Sequence, residues 1–531
     1  MKKFIKCLVI SLLLVSMLIV PLAGCTQNDP GQAEPNNDNS NVTPEVNADE
    51  IDLSEHVDLV MYLLGDPPSD LEPVLAEINK LAEEELNTTL TMEYIPWSDM
   101  GTRYSLILSS GEKCDLMFTG DWAYYLQEAT KGAFTEITME KLEKYMPNTL
   151  EQWTPAAWNH TLIDGKMYGI PNNLSQYTSV AQAVAIRGDL REKYGIEPLE
   201  TLDDLENYLF TIAENEASLE AFLLAAPDNS HLAKTLTFFA PNDIVQINPG
   251  SSTVSFVYEY KEGEEFTSDQ LVYNYMMPEY AEWAKRMKTW ADKGVWSRNS
   301  LSNELHNQEA FENGKTAACV QHFKSLVGSM DKMNVEHPEW NVEVYNLFPD
   351  NIKIQALYSG DMMAIPFASE NPERAMMLLD KLNTDPRYYY LMQMGLEGVH
   401  WIDEGNGMYS EGEKFQDYRA GQNGQWGMQN QLLIKTSVNE NPLIAKFTEE
   451  YDAMVVHPIA EGFRPNELPV KNEIAAIRAV EERYGPMLDL GLVDDVDATL
   501  AEFKAELEKA GLEKVLTEYR KQLDEFLAAV Q

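Results

Sequence analysis

Cysteine is scarce: four residues in 531, at positions 7, 25, 114 and 319. No two of them have metal-ligand spacing, which excludes a cysteine-built zinc site. Basic residues are few as well, 40 Lys and Arg against 86 Asp and Glu, for a formal charge of −46. Phosphate binding needs clusters of Lys and Arg, so nucleic acid is excluded as a partner. Acidity of this size also keeps a crowded surface protein soluble. The eight histidines are scattered, with no His-Glu-x-x-His and no metal-spaced pair. No Gly-x-Ser-x-Gly elbow occurs. Gly421, Gly424 and Gly427 are regularly spaced, but no strand pattern precedes them, which argues against a phosphate loop. Asp403 to Glu413 is acidic and turn-rich but lacks calcium-loop spacing, and reads as a solvated turn. The expectation is therefore a protein with no metal, no cofactor and no catalytic residues.

What is present begins at the N-terminus. Lys2, Lys3 and Lys6 precede an aliphatic run from Leu8 to Val20, too short for a comfortable membrane span. A basic start, a short apolar core and a small-residue exit describe a secretory signal over residues 1–24. Leu22-Ala23-Gly24-Cys25 matches the bacterial lipobox, in which the Cys sulfur takes a diacylglycerol after cleavage before it. Cys25 is thus the expected lipidation site, on the extracellular face of a bacterial cytoplasmic membrane. Thr26 to Asn47 contains almost nothing apolar and cannot offset its ordering entropy. Residues 25–54 read as a lipidated Cys and a disordered tether, spanning on the order of 30 Å as a coil and roughly 95 Å when pulled straight.

After the tether, about 480 residues remain, enough for two domains of ordinary size. With 44% apolar and 10% aromatic residues the composition is globular. Val57 to Leu64, Thr89 to Ile95 and Leu116 to Thr119 read as strands, separated by helical patterns at Leu71 to Leu81 and Met100 to Ser110. This β-α-β-α-β order implies a parallel sheet with right-handed crossovers. Leu162 to Pro171 reads as a hairpin on an Asp-Gly turn. A second region starts with a strand candidate at Ser179 to Arg187. It continues with a helix from Thr201, capped with Asp204 as capping-box partner, and a long amphipathic segment from Gln270 to Lys293. Thr316 to Gln321 and Met362 to Pro366 are further strands. The tail is helical, with Val515, Leu516, Tyr519, Leu523, Phe526 and Leu527 along one stripe of Leu512 to Val530. Cys114 and Cys319 either form one disulfide, which an oxidising compartment permits, or are two buried small hydrophobes.

Several short segments, in this order and spacing, resemble those of extracellular solute-binding lipoproteins of bacterial ABC importers. They are Gly165 to Pro171 (GKMYGIP), Ala185 to Leu190 (AIRGDL), Leu199 to Leu205 (LETLDDL), Phe311 to Ala317 (FENGKTA) and Glu370 to Ala375 (ENPERA). Leu202 stands where the family usually has Trp. Gly462-Phe463 and Pro469 to Ile474 (PVKNEI) are similar to a C-terminal domain of unknown function found in a LipO-like subgroup of the family-1 type.

The resemblance implies an α/β, periplasmic-binding-protein-like type II fold, with two lobes, a hinge, a ligand cleft and a helical C-terminal tail. On that template residues 55–178 form lobe 1 and 179–355 lobe 2. Residues 356–400 return to lobe 1, and 401–531 form the hinge return and a helical region packing on lobe 2. It also implies a monomer that closes on a solute by hinge motion and docks on permease subunits. Subgroup members mostly handle carbohydrates, often oligosaccharides.

Sugars need aromatic faces and planar polar groups, and ligand sites in open α/β sheets lie at the carboxyl ends of strands. The candidates are therefore Asp66 after the first strand, Asp121 and Trp122 after the third, and Asn172, Asn173 and Tyr177 on the crossover. Gln321, His322 and Phe323 after the Thr316 strand, Gly360 and Asp361 before the Met362 strand, and Trp401 and Trp426 in irregular chain complete the set. Arg187 and Asp189 read as a structural ion pair. The residues leave other readings open: a binder of peptides or another polar solute, a ligand-presenting sensor subunit, or a surface glycoside hydrolase.

Overall fold

The computed structural model describes residues 52–174, 183–222, 233–247, 254–303, 307–355, 357–421 and 423–530. The expected signal, Cys25, the tether up to residue 51 and Tyr177 lie outside the described residues.

The first lobe starts with β1 (Val57–Leu64), α1 (Leu71–Leu86), β2 (Thr88–Ile95), α2 (Met100–Ser110) and β3 (Leu116–Thr119). Both β2 and β3 pair parallel to β1, as the β-α-β-α-β pattern requires. Alternate β2 residues are buried, which is the period-2 signature of a strand with one face on the core. The Leu162–Ile163/Lys166–Met167 hairpin turns on Asp164 and Gly165, both at positive φ (49° and 77°), the type I′ geometry that suits Asp-Gly. The chain then enters β4 (Ile170–Pro171) and leaves the lobe.

The second lobe is built on β5 (Ala183–Arg187), α3 (Leu202–Asn215), β6 (Glu220–Phe222), α4 (Tyr280–Asp292), β7 (Thr316–Gln321), α5 (Phe323–Glu336) and β8 (Val342–Asn346), with sheet order β8-β5-β7-β6. Thr201 caps α3 through a capping box with Asp204, as the sequence indicates. The amphipathic segment from Gln270 becomes α-helical only at Tyr280, after a short 3-10 turn at Asn274–Met276. Pro278 lacks an N–H and holds its neighbour extended, and Val272–Tyr273 instead pairs with Phe256–Val257 as a strand. Arg187 and Asp189 form a bidentate pair at 2.6 and 2.7 Å, the expected structural ion pair, with Arg187 also over the Trp340 ring.

A second crossing returns the chain to the first lobe as β9 (Met362–Ala364), α6 (Pro372–Thr384) and α7 (Pro386–Met394). There β9 inserts antiparallel between β3 and β4, completing the order β2-β1-β3-β9-β4.

The described parts of 401–431, expected to lie in the hinge return and helical region, pack on this lobe. A hairpin of β10 (Trp401–Gly405) and β11 (Met408–Glu411) lies on α7, and Tyr418 and Met428 join the first lobe's core. The third crossing leads to α8 (Pro442–Ala453), whose Phe447 and Tyr451 pack under the second lobe's sheet. Finally α9 (Lys471–Asp489), α10 (Val496–Ala510) and α11 (Leu512–Val530) share one apolar core with α3 and α4. Lys234, buried under Tyr275, Tyr280 and Trp283, pairs with Asp489 at 3.2 Å and fastens α9 to that core.

Cys114 and Cys319 are both free and buried, one in each lobe core, so the disulfide alternative falls. Among the described residues no helix is long and apolar enough to cross a membrane, and no group of side chains is placed to hold a metal ion.

Candidate functional site

The carboxyl ends of β1, β2 and β3 carry Gly65, Trp97 and Gly120-Asp121-Trp122. Pro96 ends β2 and Trp97 opens a short 3-10 turn before α2. Gly65 adopts φ 103°, open to glycine, and a Cβ there would lie 3.5 Å from the Trp97 indole nitrogen. Asp66, exposed, follows it at the lip of the edge. After β3, Gly120 is required by space alone: a Cβ would sit 2.0 Å from the Gly360 carbonyl oxygen. That close approach docks the turn onto Tyr358–Gly360 and turns Trp122 outward.

Trp97 and Trp122 stack with ring centroids 6.0 Å apart, and Trp426 lies 5.8 Å from Trp97. Phe118, buried in β3, floors the group at 5.6 Å from Trp122 and 5.8 Å from Trp426. Trp97 is 47% exposed and Trp122 41%, so two indole faces remain open to solvent. The Trp122 indole N–H donates to Asp361 Oδ1 at 3.0 Å.

Trp426 owes its place to the two glycines that flank it, Gly424 and Gly427. A Cβ on Gly424, at φ 82°, would be 2.8 Å from the Leu64 carbonyl oxygen, and one on Gly427 2.5 Å from that of Met362. These glycines let irregular chain lie directly on the ends of β1 and β9. The arrangement suits a solute with apolar C–H faces and hydroxyl groups, since indoles stack on the former and carboxylates accept from the latter.

Other expected contacts have different duties. Asp121 is buried: its carboxylate accepts from Ser359 Oγ at 2.7 Å and Arg464 Nη2 at 2.6 Å, which uses both oxygens within the protein. Asn172 and Asn173 are buried and brace the third crossing. Asn172 Nδ2 donates to the Trp426 carbonyl at 3.1 Å, and Asn173 Nδ2 to Asn430 Oδ1 at 3.2 Å. Phe323 is a core residue between Phe447 and Tyr451. His322 caps α5, with Nδ1 accepting from the Lys324 N–H at 3.2 Å, and burial pushes its imidazole down to about 4. Gln321 Oε1 accepts from the His322 N–H. Trp401 is buried, donating to the Gly395 carbonyl at 3.1 Å with Lys435 above its ring. Gly360 contributes its carbonyl contact under Gly120.

The structure thus gathers Trp122, Asp361, Gly360 and Trp426 at one edge, with Asp66 at its lip, and leaves Gln321, His322 and Phe323 in the other lobe. Sequence reading missed Trp97, although it follows a strand just as Trp122 does. It also missed Arg464, which no local signal marks.

A model of the bacterial extracellular solute-binding proteins matches residues 76–397. The chain belongs to that family. A domain of unknown function (DUF3502) matches residues 459–528, the C-terminal helical region. A carbohydrate ABC transporter substrate-binding protein of Streptococcus pneumoniae is 26% identical over 475 residues, covering 88% of this chain and 90% of its own. The N-glycan transport solute binding protein (NgtS) of the same species, in complex with Man1GlcNAc, superposes with TM-score 0.70 at 23% identity, covering 89% of this chain and all of the other. The alginate-binding protein AlgQ2 superposes with TM-score 0.64 at 15% identity, over 89% and 99%. The fold of this solute-binding protein is accordingly the type II periplasmic-binding-protein-like one, two α/β lobes with a helical C-terminal region.

Proposed function

We propose that this solute-binding protein captures a carbohydrate, an oligosaccharide, and delivers it to the permease of an ABC importer without chemical change. The observation that carries the reading is the Trp97–Trp122–Trp426 group at the carboxyl edge of the first lobe's sheet, with two indole faces open. Flat aromatic surface beside carboxylates is what pyranose rings require, and a peptide backbone would call instead for paired backbone donors and acceptors. The carbohydrate named in the pneumococcal relatives supports the same class of solute. Lobe closure by hinge motion accounts for release and docking. The lipobox at Cys25 supports anchoring by acyl chains, each buried methylene adding about 0.8 kcal/mol of membrane affinity. The protein then works as a tethered monomer on the outer face of the membrane.

Calorimetry on protein lacking residues 1–25 tests this, with Man1GlcNAc, longer oligosaccharides and peptides as titrants. Saturable binding of a glycan, with the glycan recovered intact, is the expected result. Binding of peptides alone would overturn the solute class, and cleaved glycan would overturn the non-catalytic reading.

A further inference from the structure

Arg464 lies near the start of the C-terminal domain of unknown function, and its neighbours are bound to the second lobe. Ala460 and Phe463 sit in that lobe's core, the Phe463 ring is 5.5 Å from Phe526 of α11, and Asn466 exchanges two hydrogen bonds with Gln522. Arg464 itself points the other way. Pro465 disfavours a helical conformation for the residue before it, and in extended chain successive side chains take opposite sides. Phe463 therefore goes into one lobe and Arg464 into the other.

The Arg464 side chain is 5% exposed. Nη2 donates to Asp121 Oδ1 at 2.6 Å and to Ser359 Oγ at 2.8 Å. Nη1 donates to the His160 carbonyl at 2.5 Å and, at 3.5 Å, to that of Leu162. All four partners belong to the first lobe or to the crossing that re-enters it. Ser359 closes the triangle, since its hydroxyl donates to Asp121 Oδ2 and its carbonyl accepts from the Asp121 N–H.

We propose that Arg464 is the pivot of the solute cleft: through it the C-terminal domain holds the Gly120-Asp121-Trp122 turn in place, and the lobes rotate about this contact without breaking it. A guanidinium keeps its charge at any relevant pH, so pulling it away would strand the buried Asp121 carboxylate, a larger cost than separates ordinary open and closed states. The contact also lies where the second crossing enters the first lobe, which is where a rotation axis moves its surroundings least. Trp122, next in sequence to Asp121, is positioned by Arg464 without touching it. The proposal rests on the cleft assigned above but concerns geometry that exists without solute.

The test uses the protein lacking residues 1–25, spin-labelled at L106C in α2 and V335C in α5, both exposed and in opposite lobes. Inter-label distances are measured without solute. The native pair should give one narrow distribution, which R464M widens at least about twofold, as a hinge freed from its pivot requires. The double variant D121N/R464M, which leaves no buried charge unpaired, should widen it equally while staying folded, and S359A should widen it less. Unchanged widths in the folded double variant overturn the pivot. So does a native width accompanied by loss of Man1GlcNAc binding, because Arg464 would then act on the solute. If the native protein binds no glycan at all, the solute class fails while the distance result still stands or falls alone.

Discussion

The Trp122 indole N–H donates to Asp361 Oδ1 across 239 positions of sequence, joining the turn after β3 to the start of β9. A ring held this way loses little freedom when a sugar stacks on it, so its contribution to affinity is retained. Trp122→Ala should weaken oligosaccharide binding at least roughly tenfold, about 1.4 kcal/mol, with the unfolding midpoint nearly unchanged. Trp97→Ala should behave alike. Calorimetry with unchanged affinity in both variants would remove the indoles from the site.

Gly427→Ala places a methyl 2.5 Å from the Met362 carbonyl oxygen, a backbone atom with no room to yield. The segment carrying Trp426 must then lift from β9. The expected loss is about 2–3 kcal/mol of stability in urea titration, together with weakened solute binding. Gly424→Ala should cost a similar amount through its φ of 82°.

His160 gives a pH dependence of known sign. Burial, then the neighbouring Arg464 charge, pushes its imidazole down to about 4, from an ordinary value near 6.5. Between those values the unfolded chain binds the proton and the folded one does not, so stability falls as pH drops through that window. Above pH 7 the group contributes no slope. His160→Asn retains an acceptor for the Tyr358 N–H, now bonded to Nδ1 at 3.2 Å, and should flatten the fall in urea midpoint between pH 7 and pH 5. An identical slope in native protein and variant would contradict the assignment.

Lys234→Met would leave Asp489 buried with only the Tyr275 and Tyr280 hydroxyls as partners. Stranding one member of a buried pair costs about 3–5 kcal/mol. Hydrogen exchange should show the loss concentrated in α9 to α11, with the first lobe's sheet still protected.

Burial raises both the Cys114 and Cys319 thiols well above the ordinary range. Protein lacking residues 1–25 should therefore titrate no thiol with Ellman's reagent when native and two when unfolded, and reductant should leave its melting temperature unchanged.

Local features were legible in sequence because their causes are local. The Thr201–Asp204 capping box, the Asp164-Gly165 turn and the apolar stripe of Leu512 to Val530 each follow from residues within a few positions of one another. The ends of β1 and β3 were legible for the same reason, and Trp122 with them. What escaped was set by distant partners. Asp121 reads as a free carboxylate after a strand until Arg464 arrives 343 positions later. Phe323 and Trp401 read as open aromatics until Phe447, Tyr451 and Lys435 cover them. The glycines at 424 and 427 carry no periodic signal, since their role is to allow close approach to strands hundreds of residues earlier or dozens earlier in the chain.

Strand β9 lies between β3 and β4, although the whole second lobe up to β8 separates it from them in sequence. A chain that emerges N-terminus first therefore presents β3 with an unfilled edge, and β4 with no neighbour, until Met362 to Ala364 follow. The first lobe begins before the second yet is completed after most of it. A stall or cut anywhere in the second lobe should thus leave the solute platform unfinished, with its apolar edge exposed to chaperones and proteases.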